Sequence, residues 1–232
     1  MHNSIISIVI PAYNEQDTIG KTVSDTILTM DSLRMPYEVI VVNDGSTDDT
    51  ERIASGYKVT LLSNSENRGK GYALRKGFQH AEGDIVVTMD SDGAHEPKEI
   101  VDLIQPLFNG TDVVAGSRYL GGRMHTTTRL HRIGNAMFNL AIFALTGKPI
   151  TDSQSGFRAF KREVLQKIDL QSQGYDIEVE MTIKMLKNGF KFQEKPIHCE
   201  KRMYNYSKVR ILYDGIRISK AIVKAAFSQN SA

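Results

Sequence analysis

The chain has 232 residues, of which 41% are hydrophobic and 24% are charged. This composition excludes a disordered or fibrous protein and is typical of one large folded domain, with at most a small appendage. The formal net charge is +2, but residues 201–232 contain seven basic residues and one acid, so the tail is basic and the remainder is acidic. The acidic bulk, without interleaved basic and aromatic residues, argues against a nucleic-acid partner.

The single cysteine, Cys199, excludes an intramolecular disulfide and indicates a protein that is not adapted to an oxidising compartment. The amino terminus has no basic flank before its first apolar run, unlike a signal peptide. The most apolar later stretch, residues 136–145, is far shorter than the roughly 18 residues that span a bilayer. We therefore expect a cytoplasmic protein that does not cross a membrane.

The first half of the chain alternates short apolar runs with amphipathic segments. In chain order, the pattern predicts strands at 5–10, 37–42, 59–62, 84–89 and 112–115, and helices at 15–33, 48–54, 71–81 and 97–108. Such alternation implies right-handed β-α-β units. The expected fold class is therefore α/β and Rossmann-like, with a mostly parallel central sheet flanked by helices.

The second half predicts helices at 129–146, 176–188 and 207–227, a strand at 190–200 and a mixed segment at 157–165. No linker separates it, so we assign residues 1–206 to one domain and residues 207–232 to a basic amphipathic helical tail. One side of the tail carries Arg210, Asp214, Arg217, Lys220 and Lys224, and the other carries Leu212, Ile216, Ile218, Ile222, Val223 and Phe227. Two interpretations stay open: a surface helix packed on its own domain, and a helix lying in the membrane interface.

Polar residues follow four of the predicted strands. They occur at 11–15, 43–46, 90–92 and 116–118. In open α/β sheets, ligands bind beyond the carboxyl ends of the parallel strands, which we call the ligand edge. Four polar strand ends at one edge therefore predict a binding site there.

Asp90 and Asp92 have the clearest chemical meaning of these residues. Residues two apart on a strand share a side, so the two carboxylates are expected to lie together. Their mutual repulsion is relieved by a divalent cation, and oxygen ligands with substrate phosphates suit Mg²⁺ or Mn²⁺. A solvated loop is the alternative, but the preceding buried strand at the ligand edge favours a metal site.

Six short stretches in order then carry a resemblance to a known family. They are SIVIPAYNE at 7–15, VVNDGSTD at 41–48, NRGKG at 67–71, MDSDG at 89–93, GSR at 116–118 and DSQSGFR at 152–158. Together they resemble the family-2 glycosyltransferases of the GT-A fold. The most similar branch makes dolichyl- or polyprenyl-phosphate sugars, and DSQSGFR is more similar to the glucose-synthase side.

The resemblance implies roles for residues at the ligand edge. A nucleotide sugar would be held by Pro11, Tyr13, Glu15, Asp44, Lys70 and Asp90. Asp44 would accept a hydrogen bond from a base, with a turn residue as the alternative, and Lys70 would lie over the diphosphate. Asp90 and Asp92 would carry the metal, with Asp92 the favoured direct ligand. Many relatives have glutamine where this chain has Ala94, and water or His95 would fill that coordination place unless His95 only begins the next helix.

The resemblance also implies an acceptor site with catalytic residues Asp92, Asp152, Arg118 and Arg132. Arg118 and Arg132 would hold the acceptor phosphate and the donor diphosphate, with surface charge as the alternative. Arg129, one turn before Arg132, is the less informative of that pair. Asp152 would be a general base for a hydroxyl acceptor. A phosphate acceptor is already an anion, and Asp152 would then position neighbouring groups.

The implied function is a metal-dependent, inverting transfer of a sugar from a nucleoside diphosphate to dolichyl or polyprenyl phosphate. We expect it at the cytoplasmic face of a membrane, with the chain bound peripherally or recruited by an integral-membrane partner. A UDP-sugar is favoured over GDP-mannose. A family-2 enzyme with a soluble or saccharide acceptor is the alternative, and a regulatory nucleotide-binding module or a membrane scaffold is the rival from another class.

Overall fold

A computed structural model describes residues 4–120, 129–199 and 211–227. The strands are β1 Ile6–Ala12, β2 Tyr37–Asn43, β3 Thr60–Ser63, β4 Ile85–Thr88, β5 Val113–Ser117, β6 Arg158–Lys161 and β7 Phe192–Pro196. The helices are α1 Ile19–Leu33, α2 Thr50–Ala54, α3 Lys70–His80, α4 Ile100–Phe108, α5 Arg129–Thr146, α6 Arg162–Lys167, α7 Ile177–Lys187 and α8 Ile211–Phe227.

The strands form one sheet in the order β3-β2-β1-β4-β6-β5-β7. Neighbours are parallel except β6, which runs antiparallel to both β4 and β5. The predicted mostly parallel α/β sheet is therefore confirmed. Because β6 runs the opposite way, it begins at the ligand edge, where the parallel strands end.

Apolar side chains on both faces of β1 explain why helices cover both faces of the sheet. Ile6, Ile8 and Ile10 point to one face and join a core with residues of α1 and α4. Val9 points to the other face and packs with residues of α3 and α7. These four side chains are fully buried, and each contributes about 1.5–3 kcal/mol of hydrophobic stabilisation. Since both faces need apolar residues, the strand is almost continuously apolar.

Several element boundaries differ from the sequence prediction. α1 begins at Ile19 and not at residue 15, because Asn14 has a φ of 50° and the Glu15 carbonyl accepts the Thr18 and Ile19 N–H groups in a turn. The strand expected at 190–200 is limited to β7, which ends at Pro196. In the turn before α2, the Asp48 side chain also affects the helix boundary, because its Oδ1 accepts the Thr50 N–H at 3.0 Å. Such local hydrogen bonds compete with regular structure.

The described part of the tail packs on the domain. Ile218 and Ile222 of α8 share a buried cluster with Val179 and Ile183 of α7 and with Ile142 of α5. The predicted boundary at 206–207 and the tail residue Arg210 lie outside the described residues, so the division into two units stays a prediction. Within the three described stretches, no helix is both long enough and apolar enough to cross a membrane.

Candidate active site

Three of the four polar strand ends, those after β1, β2 and β4, line one cavity of about 570 Å³, whereas Arg118 after β5 is not among its lining residues. Its wall contains all the residues that the sequence predicted for the nucleotide sugar and the metal: Pro11, Tyr13, Glu15, Asp44, Lys70, Asp90 and Asp92. Asn67 and Tyr175 also line it. The structure therefore brings these residues together at the ligand edge, while their roles stay predictions.

Side-chain hydrogen bonds lock the loop after β1 onto the loop after β2. Asn14 N–H donates to Ser46 Oγ at 3.0 Å, and Asn14 Oδ1 accepts the Thr47 N–H at 2.8 Å. Glu15 N–H donates to Thr50 Oγ1 at 2.7 Å. Asparagine suits this place because it tolerates the left-handed conformation better than most residues do. The segment that carries Tyr13 and Glu15 is thus held in place before any ligand binds.

Asp44 is 2% exposed, and protein donors surround its carboxylate. Asn64 Nδ2 donates to Oδ1 at 2.7 Å, and Gly69 N–H donates to Oδ2 at 2.7 Å. The Arg68 N–H contacts both oxygens at 3.1 and 3.2 Å. In this structure Asp44 therefore ties the end of β2 to the loop before α3. This contact set is the structural role that the sequence left open beside the base-binding role.

Two glycines fix the backbone on either side of Lys70. A Cβ at Gly69 would lie 2.3 Å from the Gln173 carbonyl oxygen, and a Cβ at Gly71 would lie 2.4 Å from the Ser172 carbonyl oxygen. The Gly71 N–H donates to Gln173 O at 2.8 Å. No side chain fits this approach of two backbones, so the glycines are needed where α3 begins.

Lys70 bridges two carboxylates beside the cavity. Its Nζ lies 2.5 Å from Asp90 Oδ1 and 2.6 Å from Glu178 Oε1. Burial alone would lower the pKa of Lys70, but the two carboxylates outweigh it and raise that pKa above its ordinary value. Burial raises the pKa of Glu178, and Lys70 opposes that effect. Lys70 is therefore an ammonium ion held between two acids.

Asp90 and Asp92 fit a divalent cation that is shared with a substrate. β4 ends at Thr88, so the two acids lie in the following loop and not on one face of a strand as predicted; the Asp92 Oδ1 accepts the Ala94 N–H at 3.0 Å. Among the described residues, no group of three or more His, Cys, Asp or Glu could hold a metal. Two carboxylates suit Mg²⁺ or Mn²⁺ when phosphate oxygens and water complete the shell.

His95 faces the loop after β4 from its other side. Its Nδ1 accepts the Asp90 backbone N–H at 3.4 Å, and its ring stacks on Phe157 at a centroid distance of 5.0 Å. Burial lowers the pKa of His95, with the acids Asp90 and Asp92 opposing it. The ring lines a neighbouring cavity and not the one described above. His95 therefore supports the Asp90 backbone through Nδ1, which makes that nitrogen unavailable to a metal.

Arg118 and Asp152 form a two-pronged ion pair. Arg118 Nε and Nη2 donate to the two oxygens of Asp152 at 2.7 and 2.9 Å, and the Arg118 backbone N–H donates at 3.1 Å. Asp152 has no exposed surface, while Arg118 keeps 22% of its side chain exposed. Burial would lower the pKa of Arg118, but Asp152 raises it beyond its ordinary value. Both oxygens of Asp152 thus accept hydrogen bonds from Arg118. This arrangement favours a positioning role for Asp152 over a role in proton transfer.

Helix α5 holds the loop that carries Asp152. The side-chain amides of Asn135 and Asn139 donate to the Thr151 carbonyl at 3.0 and 2.8 Å. Glu194 of β7 accepts the Asp152 N–H at 2.9 Å. Arg132, in contrast, is exposed and does not line the cavity. The side chain of Arg129 lies outside the described part of the chain.

Besides Asn67 and Tyr175 in the cavity wall, three charged residues at the site were not predicted from the sequence. Glu178 holds Lys70, and Glu194 holds the Thr151–Asp152 backbone. Arg158 is 1% exposed and donates to the Ser153 and Ser155 carbonyls at 2.8 Å each. The one available signal was the pair of acids at 178 and 180 in the otherwise apolar first turn of α7. A buried acid needs a cation or backbone donors nearby.

Comparison with known proteins adds a family. Residues 7–169 match the model of "Glycosyl transferase family 2". The polyprenol monophosphomannose synthase of Mycolicibacterium smegmatis is 31% identical over 232 residues, which cover 94% of this chain and 84% of that protein. The dolichol-phosphate mannosyltransferase of Pyrococcus furiosus is 33% identical over 186 residues, which cover 77% of this chain but only 52% of that protein.

A solved structure shares the fold. Glucosyl-3-phosphoglycerate synthase from Mycobacterium tuberculosis, in complex with Mn²⁺, UDP and phosphoglyceric acid, superposes with a TM-score of 0.79 at 24% identity. The match covers 98% of this chain and 80% of that one. The resemblance to the branch that makes polyprenyl-phosphate sugars is supported by the names of the two relatives. The chain is a glycosyltransferase of the GT-A fold and belongs to glycosyl transferase family 2.

Proposed function

We propose that the protein transfers a sugar from a nucleoside diphosphate sugar to dolichyl or polyprenyl phosphate, with inversion, using Mg²⁺ or Mn²⁺ held by Asp90 and Asp92. The observation that carries the proposal is the single cavity lined by every predicted donor and metal residue. The names of the two family relatives support a polyprenyl-phosphate acceptor.

The donor half of the cavity supplies anion binding. Lys70 begins α3 and supplies an ammonium group, whereas the Gly71 and Tyr72 N–H groups of the first turn already donate to Gln173 O. Tyr13 is half-buried in the cavity wall, where its ring would pack on a base. A bound divalent cation would neutralise charge on the leaving diphosphate. The DSQSGFR stretch favours a UDP-sugar, whereas both relatives are named for mannose, so GDP-mannose is the competing donor.

The acceptor side centres on Arg118, which follows β5 at the ligand edge but is not among the residues that line the cavity. Asp152 orients the guanidinium through two hydrogen bonds, and Nη1 takes no part in that pair. An oriented guanidinium suits a phosphate oxygen. The acceptor phosphate brings its own nucleophilic oxygen, so no general base is required. Asp152 then has the positioning role, and attack comes from the side of the sugar opposite the leaving diphosphate.

Helix α5 supports a membrane-bound acceptor. Its inner face holds the loop of Asp152, and its outer face exposes large apolar side chains: Ile133 at 59%, Met137 at 66%, Leu140 at 68% and Phe143 at 47%. Ile216 and Val223 of the adjacent α8 are also exposed. Such a surface fits the acyl boundary of a bilayer. Each of the exposed basic residues Lys220 and Lys224 adds about 1 kcal/mol near an anionic surface.

The transfer is tested with the full chain, Mn²⁺ and labelled UDP-glucose or GDP-mannose. Polyprenyl phosphate in liposomes is one acceptor, and phosphoglyceric acid is the soluble alternative. We expect label in the organic phase only when the lipid phosphate is present, and Asp92→Asn should abolish it. Water-soluble product alone would establish the soluble-acceptor alternative. No transfer with either donor would refute the proposal.

The membrane surface is tested separately by flotation with liposomes that contain anionic lipid. Leu140→Ser should reduce the floating fraction, since it removes apolar area from the outer face of α5. Leu28→Ser is the matched control, because Leu28 is 65% exposed on α1. Equal flotation of the two variants would show that α5 does not face the membrane. A chain that never floats would favour recruitment by an integral-membrane protein.

A further inference from the structure

The Lys70 ammonium group contacts one of the two carboxylates that the proposed function assigns to the metal. Lys70 Nζ lies 2.5 Å from Asp90 Oδ1, and the Lys70 side chain is only 13% exposed. The contact is enclosed: a Cβ on Gly156 would lie 2.7 Å from Nζ and 2.8 Å from Asp90 Oδ2. The pair is therefore a packed part of the site and not a loose surface contact.

We propose that Lys70 is a resident counter-ion that competes with the divalent cation for Asp90, and that the donor diphosphate ends this competition by drawing the ammonium onto its own oxygens. The inference rests on the proposed function and specifies how that site is controlled. Two cations on one carboxylate repel each other, so each weakens binding of the other. Anionic phosphate oxygens give the ammonium another charged partner that can take the place of Asp90.

The surroundings of Lys70 allow this exchange by side-chain rotation alone. The Gly69 and Gly71 backbones are packed against residues 172–174, and the Gly71 N–H donates to Gln173 O at 2.8 Å. The backbone of α3 is therefore held, while four rotatable side-chain bonds of lysine remain. The Lys70 side chain itself lines the cavity beside Asp90, Asp92 and Tyr175. Movement of Nζ toward a bound diphosphate needs no displacement of the fold.

Glu178 positions the Lys70 side chain during this exchange. Its side chain is 4% exposed, and Oε1 lies 2.6 Å from Lys70 Nζ. Oε2 is buried without a hydrogen-bond partner among the residues that the structure describes. A buried carboxylate with so few partners depends on the nearby ammonium. Glu178 therefore retains the Lys70 side chain in the site when Asp90 is given up to the cation.

The expected behaviour is coupled binding. Mn²⁺ alone should bind weakly, and UDP should raise its affinity; by thermodynamic reciprocity Mn²⁺ should raise the affinity of UDP by the same factor. The order in which the two reach the site then matters little, because neither is held well without the other. Because diphosphate oxygens would also ligate the metal, the part of this coupling that is due to Lys70 is the part that is lost in the Lys70→Met variant.

The test measures Mn²⁺ binding to the full chain by electron paramagnetic resonance, without turnover, in the absence and presence of UDP. Lys70→Met should bind Mn²⁺ alone about tenfold more tightly than the wild type, the lower end of the one-to-three-unit effect of a charge beside a carboxylate. Its coupling to UDP should fall. Lys21→Met is the control, because it removes the same charge from an exposed pair with Asp25, and it should change neither quantity.

A second comparison covers failure of Lys70→Met to fold, since that change leaves Glu178 buried without its cation. The double variant Lys70→Met/Glu178→Gln is compared with Glu178→Gln alone, and the same gain in Mn²⁺ affinity is expected. No gain in either comparison overturns the proposal, and so does a wild type in which UDP leaves Mn²⁺ affinity unchanged. Failure of the proposed function is distinct, because the wild type would then make no lipid-linked sugar.

Discussion

Replacement of Asp152 by asparagine removes one charge from the ion pair with Arg118. Asparagine keeps the shape of the side chain, but its NH₂ group must face a guanidinium that only donates. Loss of one partner of a buried pair costs about 3–5 kcal/mol. Because Arg118 keeps 22% of its side chain exposed, we expect the lower end, about 3 kcal/mol. For a chain of this size, that loss lowers Tm by about 6–12 °C.

Urea denaturation followed by circular dichroism measures this loss as a shift in midpoint at constant slope. Asp25→Asn is the control, because its exposed i,i+4 pair with Lys21 contributes only about 0.2–0.5 kcal/mol. The double variant Arg118→Met/Asp152→Asn should lose less stability than Asp152→Asn, since no unpaired guanidinium remains. A stability for Asp152→Asn within about 1 kcal/mol of the wild type would refute the reasoning from the buried pair.

The same variant separates the two roles of Asp152 in activity. A positioning residue lowers kcat at every pH and leaves the shape of the pH profile unchanged. A general base adds an acidic limb to that profile, and the limb disappears when the carboxyl group is removed. We expect the first result, since both oxygens of Asp152 contact Arg118.

Three further predictions concern other parts of the site. Burial holds the pKa of His95 below its ordinary 6.5, so the unfolded chain takes up the proton first and the free energy of unfolding falls as pH drops below about 6.5. The variant His95→Asn, whose amide oxygen can replace Nδ1, should flatten this pH dependence in urea titrations. An unchanged pH dependence in that variant would contradict the prediction. Gly156→Ala places a methyl group against Lys70 and Asp90, and calorimetry should show UDP binding in the presence of Mn²⁺ weakened about tenfold, or about 1.4 kcal/mol. Its control is Gly134→Ala, which lies in open space on α5 and should stabilise the folded protein by about 1 kcal/mol. Arg158→Met removes a buried guanidinium with its three hydrogen bonds and should cost about 3–5 kcal/mol in the same denaturation assay.

Local signals were sufficient for the first half of the fold. Continuous apolar runs predicted β1, β2 and β4 to within a few residues, because a strand covered on both faces must be apolar throughout. Pro11, Asp44 and Asp90 were placed at one edge by topology alone. The start of α1 was missed because a hydrogen-bonded turn at Glu15 competes with helix formation, and no periodicity reports that competition.

The second half shows what such signals omit. Glu178 and Glu194 act through Lys70 and Thr151, which lie 108 and 43 residues away in the chain. Arg158 contacts the nearby Ser153 and Ser155 carbonyls but also donates to Thr182, 24 residues away. Sequence periodicity describes which face of an element is apolar, but it does not say which distant charge meets a buried acid. The exposed apolar face of α5 was also not predicted, since residues 129–146 were interpreted only as a helix and the membrane interpretation was placed on the tail.

The antiparallel strand β6 has a consequence for how such enzymes diversify. The segment between β5 and β6 leaves the sheet at the ligand edge and returns to it at the same edge, because the two strands run in opposite directions. Insertions, deletions or exchanges within residues 119–150 therefore alter the proposed acceptor side without shifting the register of any strand. The proposed donor side, built at the ends of β1, β2 and β4, lies outside that range. Changes in the single segment between β5 and β6 can thus combine one nucleotide-sugar site with many acceptors.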